Sequence, residues 1–456
     1  MSTNALPHVH SLQANDPDPF LQHDRWTRKP LEEYQARALH ACREYAYAHS
    51  PFYQRFHRGL MDRPLHELPV LTKAMLMEYF DDLVTDRSIH LDEVRQYLTH
   101  PAGQGRFLNR YRVMATSGST GQPGVFLASQ AEGAHLAAGF ARFPAWADVT
   151  PDSKAAIIAS TASGHMSSQI PAMVQGQMLP RLQLSASDPV ETLVQQLNAW
   201  QPDMMAGYAS IMRVLAEEQR QGRLRITPRF IFSASETLTQ DTRRRIEQAW
   251  HTRLFNIYAA TGSGVLAAEC TAHRGLHLFE DVVDAHNRPV PPGVYGEKVL
   301  LTVLFIRTQP LIRYEVSDRV SRARVSSCSC GRPFALLEGI EGRAPEVLHF
   351  PARQGGEVAV IPHVFHRVMD TVPVSGWQVV QEQDGLQMLL SGASESLHEA
   401  TLVDALYQAL AAQGAIVPPL HIQRVAAIPR NASGKAPLIV SHRQRSTSSS
   451  SAGSRT

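Results

Sequence analysis

The sequence predicts an α/β protein that has a large N-terminal domain of mixed sheets and helices and a small α+β domain near its C-terminal end. From Val113 onward, short apolar runs such as those at 155–161 and 230–235 alternate with segments of helical character. This alternation is typical of a parallel β-sheet whose strands are joined by helices. After about residue 345 the pattern changes to two strand-like segments, a helix and a further apolar strand, which indicates a second, smaller fold.

The length of 456 residues is enough for two or three domains, and a chain this long can bury a core without covalent links. We expect a large domain over residues 1–343, in which residues 1–100 form a mainly helical cover. A small domain is expected over residues 344–445. The Ser-rich stretch at 446–456 is of low complexity and is expected to be disordered.

Composition excludes several classes of protein. The formal net charge is +2 and 43% of the residues are hydrophobic, so disorder is excluded for most of the chain and the chain is not strongly basic. Nucleic-acid binding needs a concentrated basic face, and the sequence offers none. No stretch approaches the ~20 apolar residues that span a bilayer, and the N-terminus lacks the apolar run of a secretory signal. With only four cysteines, a cytoplasmic protein without membrane insertion is expected.

Helices of the large domain are predicted from the residues at their ends. Residues 31–50 contain good helix formers and stop before Pro51. Asp188 is expected to be the N-cap of a helix whose first turn contains Pro189. A further helix is expected over 210–222, where the final glycine is the stop signal.

The small domain has a hairpin signal of its own. Asp384-Gly385 lies between two apolar runs, which predicts a tight β-hairpin. A helix over 401–414 and a strand beginning at His421 are expected to follow. These elements predict a compact α+β unit.

A glycine-rich loop at 115–124 is the most informative stretch of the sequence. Its backbone N–H groups and hydroxyls can converge on an anion such as a phosphate. It is not a Walker loop, because no Gly-Lys-Ser/Thr sequence closes it. A polar hairpin between two strands is the alternative interpretation. The candidate nucleotide-binding residues in the loop are Thr116, Ser117, Gly118, Ser119, Thr120 and Gly121.

The sequence TSGSTGQPG in this loop resembles the phosphate-binding loop of the adenylate-forming superfamily, the acyl-CoA synthetases and their relatives. Further matches follow in the same chain order, from about residue 100 to 440. The runs EC, GLH, ED and CSCGR narrow the resemblance to the branch of phenylacetate-CoA ligases and capsule enzymes. The matching residues are Ser235 and Glu236 beside the adenine, Tyr258, Ala259, Ala260 and Thr261 in the Tyr-Gly-x-Thr element, Asp318 at the ribose, Arg343 at the inter-domain junction and Lys435 in the catalytic loop.

The resemblance implies a ligase in which a small-molecule aryl acid, such as a phenylacetate or hydroxybenzoate, attacks the α-phosphate of ATP. Tyr258 would stack on the purine, and Asp318 would accept hydrogen bonds from the ribose hydroxyls. Lys435 would neutralise charge in the transition state, with Thr261 as a second catalytic residue. His165 resembles the aromatic gate of the acyl pocket. A mobile small domain would withdraw the catalytic lysine before the second step.

The expected cofactors are ATP and Mg²⁺, and the acyl group is expected to pass from AMP to a thiol. That thiol is either coenzyme A or the phosphopantetheine of an acyl carrier protein, and the sequence leaves both open. A homodimer is also left open. Two alternative functions remain: adenylyl transfer to a hydroxyl acceptor, and nucleotide binding without turnover.

Two positions depart from the pattern of the superfamily. Gly262 stands where many relatives have a glutamate that helps to hold Mg²⁺, so Glu269 is considered as a replacement ligand. Gly124 stands where a lysine often ends the phosphate loop. Residues 262–267 also fit the GxGxxA pattern of a dinucleotide-binding turn, which would indicate hydride chemistry.

A cysteine cluster is the candidate metal site. Cys328 and Cys330, together with Cys270 and either His277 or His273, could supply three thiolates and one imidazole, a common structural zinc set. The resemblance implies the same zinc site, because some members of this branch carry one. Buried free cysteines beside an ordinary histidine are the alternative.

Overall fold

The computed structural model describes most of the chain. The described residues are 22–99, 105–116, 123–162, 164–173, 179–278, 281–283, 287–325, 327–343, 346–395, 397–431 and 433–442. The chain divides into two compact units, which are Met1–Ala344 with Arg430–Lys435, and Pro345–Pro429 with Ala436–Thr456. The predicted catalytic lysine therefore groups with the larger unit, and the Ser-rich tail lies outside the described residues.

The larger unit contains most of the helices and strands. Its helices are α1 Arg28–His49, α2 Pro51–Phe56, α3 Lys73–Glu78, α4 Phe80–Leu83, α5 Leu91–Thr99, α6 Gln130–Trp146, α7 Met166–Met173, α8 Val190–Trp200, α9 Ala209–Arg220 and α10 Gln240–Trp250, with a 3-10 turn at Leu65–Glu67. Its strands are β1 Arg112–Ala115, β2 Val125–Ala128, β3 Ala155–Ala159, β4 Arg181–Ser185, β5 Met204–Gly207, β6 Phe230–Ala234, β7 Leu254–Ala260, β8 Gly264–Glu269, β9 Leu276–Leu278, β10 Asp281–Val283, β11 Lys298–Leu301, β12 Tyr314–Val316, β13 Asp318–Arg322 and β14 Ala335–Arg343.

A nine-stranded mixed sheet forms the centre of the larger unit, with the order β13-β14-β9-β8-β7-β6-β5-β3-β4. The five strands β4, β3, β5, β6 and β7 are parallel, which confirms the predicted parallel α/β segment. The remaining four strands, β8, β9, β14 and β13, run antiparallel to their neighbours, so the sheet is mixed. Leu193 and Leu197 of α8 and Leu215 of α9 are buried in one apolar core with Ile231 of the parallel strands, which removes apolar surface from water.

The predicted helix ends hold in two of three cases. Helix α1 ends at His49, where the next helix begins with Pro51 at its first position. Gly222 follows α9 with a φ of +74°, a conformation that glycine adopts without strain. The prediction for Asp188 is wrong by one residue, because Pro189 is the N-cap and the Asp188 N–H donates to the carbonyl of Ser185 in a preceding turn.

The smaller unit is an α+β fold. Its helices are α11 Pro362–Met369 and α12 Glu399–Ala411, and its strands are β15 Leu348–Pro351, β16 Glu357–Val360, β17 Gly376–Gln381, β18 Leu386–Ser391, β19 Leu420–Val425 and β20 Ile439–Ser441. The predicted hairpin joins β17 and β18, with Gln381 paired to Leu386 across a four-residue turn. Leu402, Leu406 and Leu410 of α12 are buried in the core of this unit.

In the part of the chain that the structure describes, no helix is both long enough and apolar enough to cross a lipid bilayer.

Candidate active site

The predicted site residues follow the carboxyl ends of the parallel strands. Because β3, β5, β6 and β7 are parallel, their carboxyl ends meet at one edge of the sheet. Ligands of open α/β sheets bind outside this edge. The predicted residues at these strand ends are His165 after β3, Ser235 and Glu236 after β6 and Thr261 after β7. Tyr208 follows β5 at the same edge.

Tyr258 and Asp318 are joined by a hydrogen bond. The hydroxyl of Tyr258 donates to Oδ2 of Asp318 at 2.7 Å. Both side chains are buried, with 7% of Tyr258 and 6% of Asp318 exposed. The tyrosine hydroxyl therefore holds the predicted ribose-binding carboxylate in one orientation, a role that the sequence did not predict. Stacking of this ring on the purine stays a prediction.

Glu236 is held at the start of helix α9. Its carboxylate accepts hydrogen bonds from the Ser210 N–H at 2.8 Å and from the Ser210 hydroxyl at 3.1 Å. A negative charge near the first turn of a helix also interacts favourably with the helix dipole. The preceding residue, Ser235, has a φ of +68°, a left-handed conformation that is strained for a residue other than glycine.

Lys435 belongs to a tightly turned loop. Oδ1 of Asn431 accepts hydrogen bonds from the N–H of Ser433 at 3.0 Å and from the N–H of Lys435 at 3.1 Å. Nζ of Lys435 lies 5.3 Å from the centroid of the Tyr208 ring, which is cation–π distance. Tyr208 is itself fixed, because its hydroxyl accepts a hydrogen bond of 2.9 Å from the Ser160 N–H.

His165 lies in the field of this lysine. Burial lowers the pKa of the imidazole, and the positive charge of Lys435 lowers it further. The side chain is half-buried. A neutral imidazole is therefore favoured at neutral pH beside the cation.

The glycine-rich loop is framed by two described residues. The Thr116 N–H donates to the Gly124 carbonyl at 2.9 Å, and the Gly124 N–H donates to Oγ1 of Thr116 at 2.8 Å. These bonds continue the antiparallel pair of β1 and β2, so the loop also connects a hairpin. The predicted residues Ser117, Gly118, Ser119, Thr120 and Gly121 lie outside the described residues.

Gly262 lies in a turn that excludes the dinucleotide-binding interpretation. Residues 261–263 connect the antiparallel strands β7 and β8, whereas a dinucleotide fingerprint requires a strand followed by a helix. Gly262 has a φ of +90°, and a Cβ atom placed on it would lie 2.6 Å from Cγ of Phe126. The ring of Phe126 thus occupies the space that a glutamate side chain would need.

Glu269, the predicted magnesium ligand, is hydrogen-bonded to protein groups at the carboxyl end of strand β8. It ends strand β8, whereas Gly262 precedes the start of that strand, so the two lie toward opposite ends. The carboxylate accepts hydrogen bonds from Arg243 at 2.8 Å and from the Asn256 N–H at 2.9 Å. Burial acts to raise the pKa of Glu269, but the His273 hydrogen bond and the Arg243 charge outweigh it and hold the pKa below its usual value.

Arg343 is the last residue of β14, and its backbone pairs with that of Asp318. Thr261, Ala259 and Ala260 lie at the end of β7 and in the turn that follows. The backbone of Arg343 is thus brought beside the predicted ribose-binding aspartate, while its side chain lies outside the described part of the structure.

Cys270, His277, Cys328 and Cys330 meet in one cluster, with one ligand atom from each lying within 4.8 Å of all the others. Sγ of Cys270 lies 3.7 Å from Sγ of Cys328, and Sγ of Cys330 lies 3.4 Å from Nε2 of His277. The four cysteines of the chain are free thiols. Burial, followed by the charges of nearby arginines, lowers the pKa of His277 to about 4, so its imidazole is neutral at pH 7. The alternative ligand His273 contacts Glu269 at 3.5 Å.

Residues 109–304 match the sequence model of the family described as AMP-binding enzyme. This match spans 196 of the 456 residues, less than half of the chain. The sequence is 25% identical to protein CapK of Staphylococcus aureus over 130 residues, and this match spans 28% of either protein. The chain therefore matches little more than a quarter of the length of this curated relative.

Solved structures share the fold of this chain. A 2-hydroxyisobutyryl-CoA ligase in complex with 2-HIB-AMP matches with a TM-score of 0.70 at 19% identity, over 97% of this chain and 95% of that one. The anthranilate CoA ligase AuaEII, in complex with anthranoyl-AMP, matches with a TM-score of 0.51 at 14% identity, over 71% and 65% of the two chains. At these identities, the matches establish the fold.

Sequence reasoning missed Phe126 and Ser210. Phe126 is one apolar residue in an apolar strand, and nothing in its sequence context indicates that its ring meets Gly262. Ser210 lies in the first turn of a helix, where small polar residues are common, so its bond to Glu236 has no signature in the sequence. The signal in the sequence was that Gly124 and Gly262 both depart from the pattern of the superfamily, which indicated that this part of the site differs from that pattern.

Proposed function

We propose that this protein activates a carboxylic acid with ATP, forming an acyl-AMP and pyrophosphate, and then transfers the acyl group to the thiol of coenzyme A. The observation that carries the proposal is the position of Lys435. Its Nζ lies over the ring of Tyr208, and Tyr208 directly follows the carboxyl end of the parallel strand β5. The fold is one that acyl-CoA ligases of known structure share. A fixed positive charge at this edge of the sheet suits the handling of a phosphate ester.

The first step is a displacement at phosphorus. A carboxylate oxygen forms a bond to the α-phosphorus, the bond from the α-phosphorus to the bridging oxygen of the β-phosphate breaks, and pyrophosphate leaves with the electron pair. Negative charge develops on the phosphoryl oxygens during this step, and the ammonium of Lys435 would neutralise it. Asp318, oriented by Tyr258, would accept hydrogen bonds from the ribose hydroxyls and so position the phosphate for attack.

We further propose an aryl acid as the substrate. The support is the resemblance to the phenylacetate-CoA ligase branch and the presence of His165 and Tyr208 near the lysine. Mg²⁺ would be held by phosphate oxygens and water, because position 262 offers no side chain and Glu269 is occupied by Arg243.

A structural zinc ion is proposed for the cysteine cluster. Zinc with Zn–S bonds of about 2.3 Å in tetrahedral geometry separates two thiolates by about 3.8 Å. The sulfurs of Cys270 and Cys328 are 3.7 Å apart, and Nε2 of His277 faces the third sulfur. The donor set of three sulfurs and one imidazole fits zinc and leaves no open position for catalysis. Such an ion would join the end of β8, strand β9 and the loop before β14.

Exchange of radiolabelled pyrophosphate into ATP tests the proposed adenylation. Wild type, Lys435→Ala and the matched control Lys154→Ala are compared with a panel of benzoates, hydroxybenzoates, phenylacetate and straight-chain acids. Lys154 lies just before β3, where its Nζ donates to the carbonyl of Trp200, so this variant removes the same charge elsewhere. We expect exchange with an aryl acid in wild type and the control, and a loss of about 100-fold or more in Lys435→Ala. Exchange with straight-chain acids alone would refute the aryl assignment, and absence of exchange with every acid would refute adenylation of an acid.

A further inference from the structure

Lys73 lies beside the position at which the phosphate loop lacks its lysine. A Cβ atom placed on Gly124 would lie 3.3 Å from Cε of Lys73 and 3.1 Å from Cε2 of Phe126. The ammonium nitrogen is one C–N bond of about 1.5 Å beyond Cε, so it lies within about 5 Å of that position. Lysine is rare in this chain, which has five among its 44 basic residues. Two segments that are far apart in sequence thus bring a lysine side chain to the end of the loop.

The backbone around Lys73 is firmly attached to the larger unit. The Leu71 N–H donates to the carbonyl of Arg313, and the Glu315 N–H donates to the carbonyl of Leu71. The side chain of Thr72 caps helix α3 by accepting a hydrogen bond from the Met75 N–H at 3.2 Å. These bonds fix the start of the helix, and therefore the point from which the Lys73 side chain extends.

The packing of α3 against strand β2 fixes the distance between Lys73 and the loop. Met77 of the helix is buried, and its sulfur accepts a hydrogen bond from the Val125 N–H at 3.4 Å. Val125 directly follows Gly124, which is bonded to Thr116 across the base of the loop. The lysine and the base of the loop are thus parts of one packed structure.

We propose that Lys73 supplies the positive charge of the phosphate site that a lysine at position 124 would otherwise supply, and that it binds the pyrophosphoryl part of ATP. The inference rests on the proposed function. Lys435 is assigned to the α-phosphate, so a second cation at the loop serves the β- and γ-phosphates and the pyrophosphate that leaves. An ammonium on a flexible stem is a common partner of phosphate.

Titration calorimetry with ATP, pyrophosphate and AMP, in the presence of Mg²⁺, tests this assignment. The variants are Lys73→Ala, Lys73→Arg and the control Lys29→Ala, which removes an exposed lysine of helix α1. Lys73→Ala is expected to weaken binding of ATP and pyrophosphate by about 10- to 100-fold, as for loss of a charged hydrogen bond. Binding of AMP, which lacks the pyrophosphoryl group, is expected to change less than about twofold. Lys73→Arg keeps the charge and is expected to retain most of the affinity, and Lys29→Ala is expected to behave as wild type.

Two outcomes would overturn the assignment. If Lys73→Ala bound ATP as tightly as wild type, the lysine would not contact the phosphates. If it lost ATP and AMP affinity equally, the substitution would have damaged the site as a whole. Both outcomes leave the proposed function intact as long as wild type exchanges pyrophosphate. Failure of wild type to bind ATP would instead overturn the proposed function and this inference together.

Discussion

Tyr258 holds Asp318 through a hydrogen bond of 2.7 Å between two side chains that water barely reaches. A buried carboxylate loses its hydrogen bonds to water, so the orientation of the side chain depends on the hydrogen-bond donors that the protein supplies. The tyrosine is thereby a positioning residue for the proposed ribose contact.

Tyr258→Phe is expected to weaken binding of adenosine nucleotides and to lower the free energy of unfolding by about 1–3 kcal/mol, because a buried acceptor loses its donor. Calorimetry with AMP and urea unfolding measure the two effects. Tyr111→Phe is the matched control, since Tyr111 also donates to an aspartate, Asp86, at 2.6 Å. Tyr111→Phe should lose stability but bind AMP as tightly as wild type. If Tyr258→Phe also bound AMP as tightly as wild type, the positioning role would be contradicted.

Lys435→Ala is expected to raise the pKa of His165 toward its usual value, because one of the two causes that lower it is removed while burial persists. The pKa of His165 in the folded protein lies below that of the unfolded chain, so the unfolded state takes up the proton first. Stability is therefore lost as the pH falls below about 6.5, and the loss should be smaller in the variant. NMR titration of the imidazole, assigned through His165→Asn, measures the shift. Lys154→Ala should leave this pKa unchanged, and an unchanged pKa in Lys435→Ala would refute the coupling.

Purified protein is expected to contain about one equivalent of zinc, since four donors meet in one cluster. Cys328→Ser should reduce the zinc content to a small fraction and lower the melting temperature, because a hydroxyl is a poor replacement for a thiolate ligand. Elemental analysis and thermal unfolding are the measurements. Cys42→Ser is the control, because Cys42 is buried elsewhere, with its thiol 3.8 Å from the Val303 carbonyl. Wild-type protein without zinc would remove the proposed metal site.

Gly262→Ala is expected to destabilise the protein more than Gly222→Ala. Both glycines have a positive φ, so both substitutions carry a backbone cost of about 1–2 kcal/mol. Only position 262 adds a steric conflict, with Phe126, for about 1–3 kcal/mol more, whereas a Cβ atom at Gly222 meets nothing within 4 Å. Equilibrium unfolding in urea measures the difference. Phe126→Ala combined with Gly262→Ala should cost less than the sum of the single changes, and strict additivity would contradict the conflict.

The elements that the sequence predicted depend on local patterns. Alternation of apolar runs and helices identified the parallel strands, and the glycine after α9 ended its helix as expected. The error at Asp188 was also local, because a proline in extended conformation took the cap position and moved the helix start by one residue. The roles of the motif residues were inferred from their order along the chain, which resembles that of a known family, and they stay predictions.

Contacts between distant segments could not be predicted. Lys73 and Gly124 are 51 positions apart, and only the packing of α3 on β2 brings them together. The orientation of Asp318 by Tyr258 likewise depends on the folded sheet rather than on either residue's neighbours in sequence. The absence of a lysine from a motif therefore does not imply that the site lacks its positive charge, because a segment distant in sequence can place a lysine at the same position in the fold.

The ring of Phe126 borders both Gly124 and Gly262, so the two departures from the family pattern are not independent. A mutational library that varies position 262 alone would sample mostly damaged proteins and would suggest that the position tolerates nothing. In a library that varies positions 126, 124 and 262 together, smaller residues at position 126 would make room for side chains at positions 124 and 262. Because the ring is shared, we expect substitutions at these three positions to be interdependent, and engineering of the proposed nucleotide site would have to vary them together.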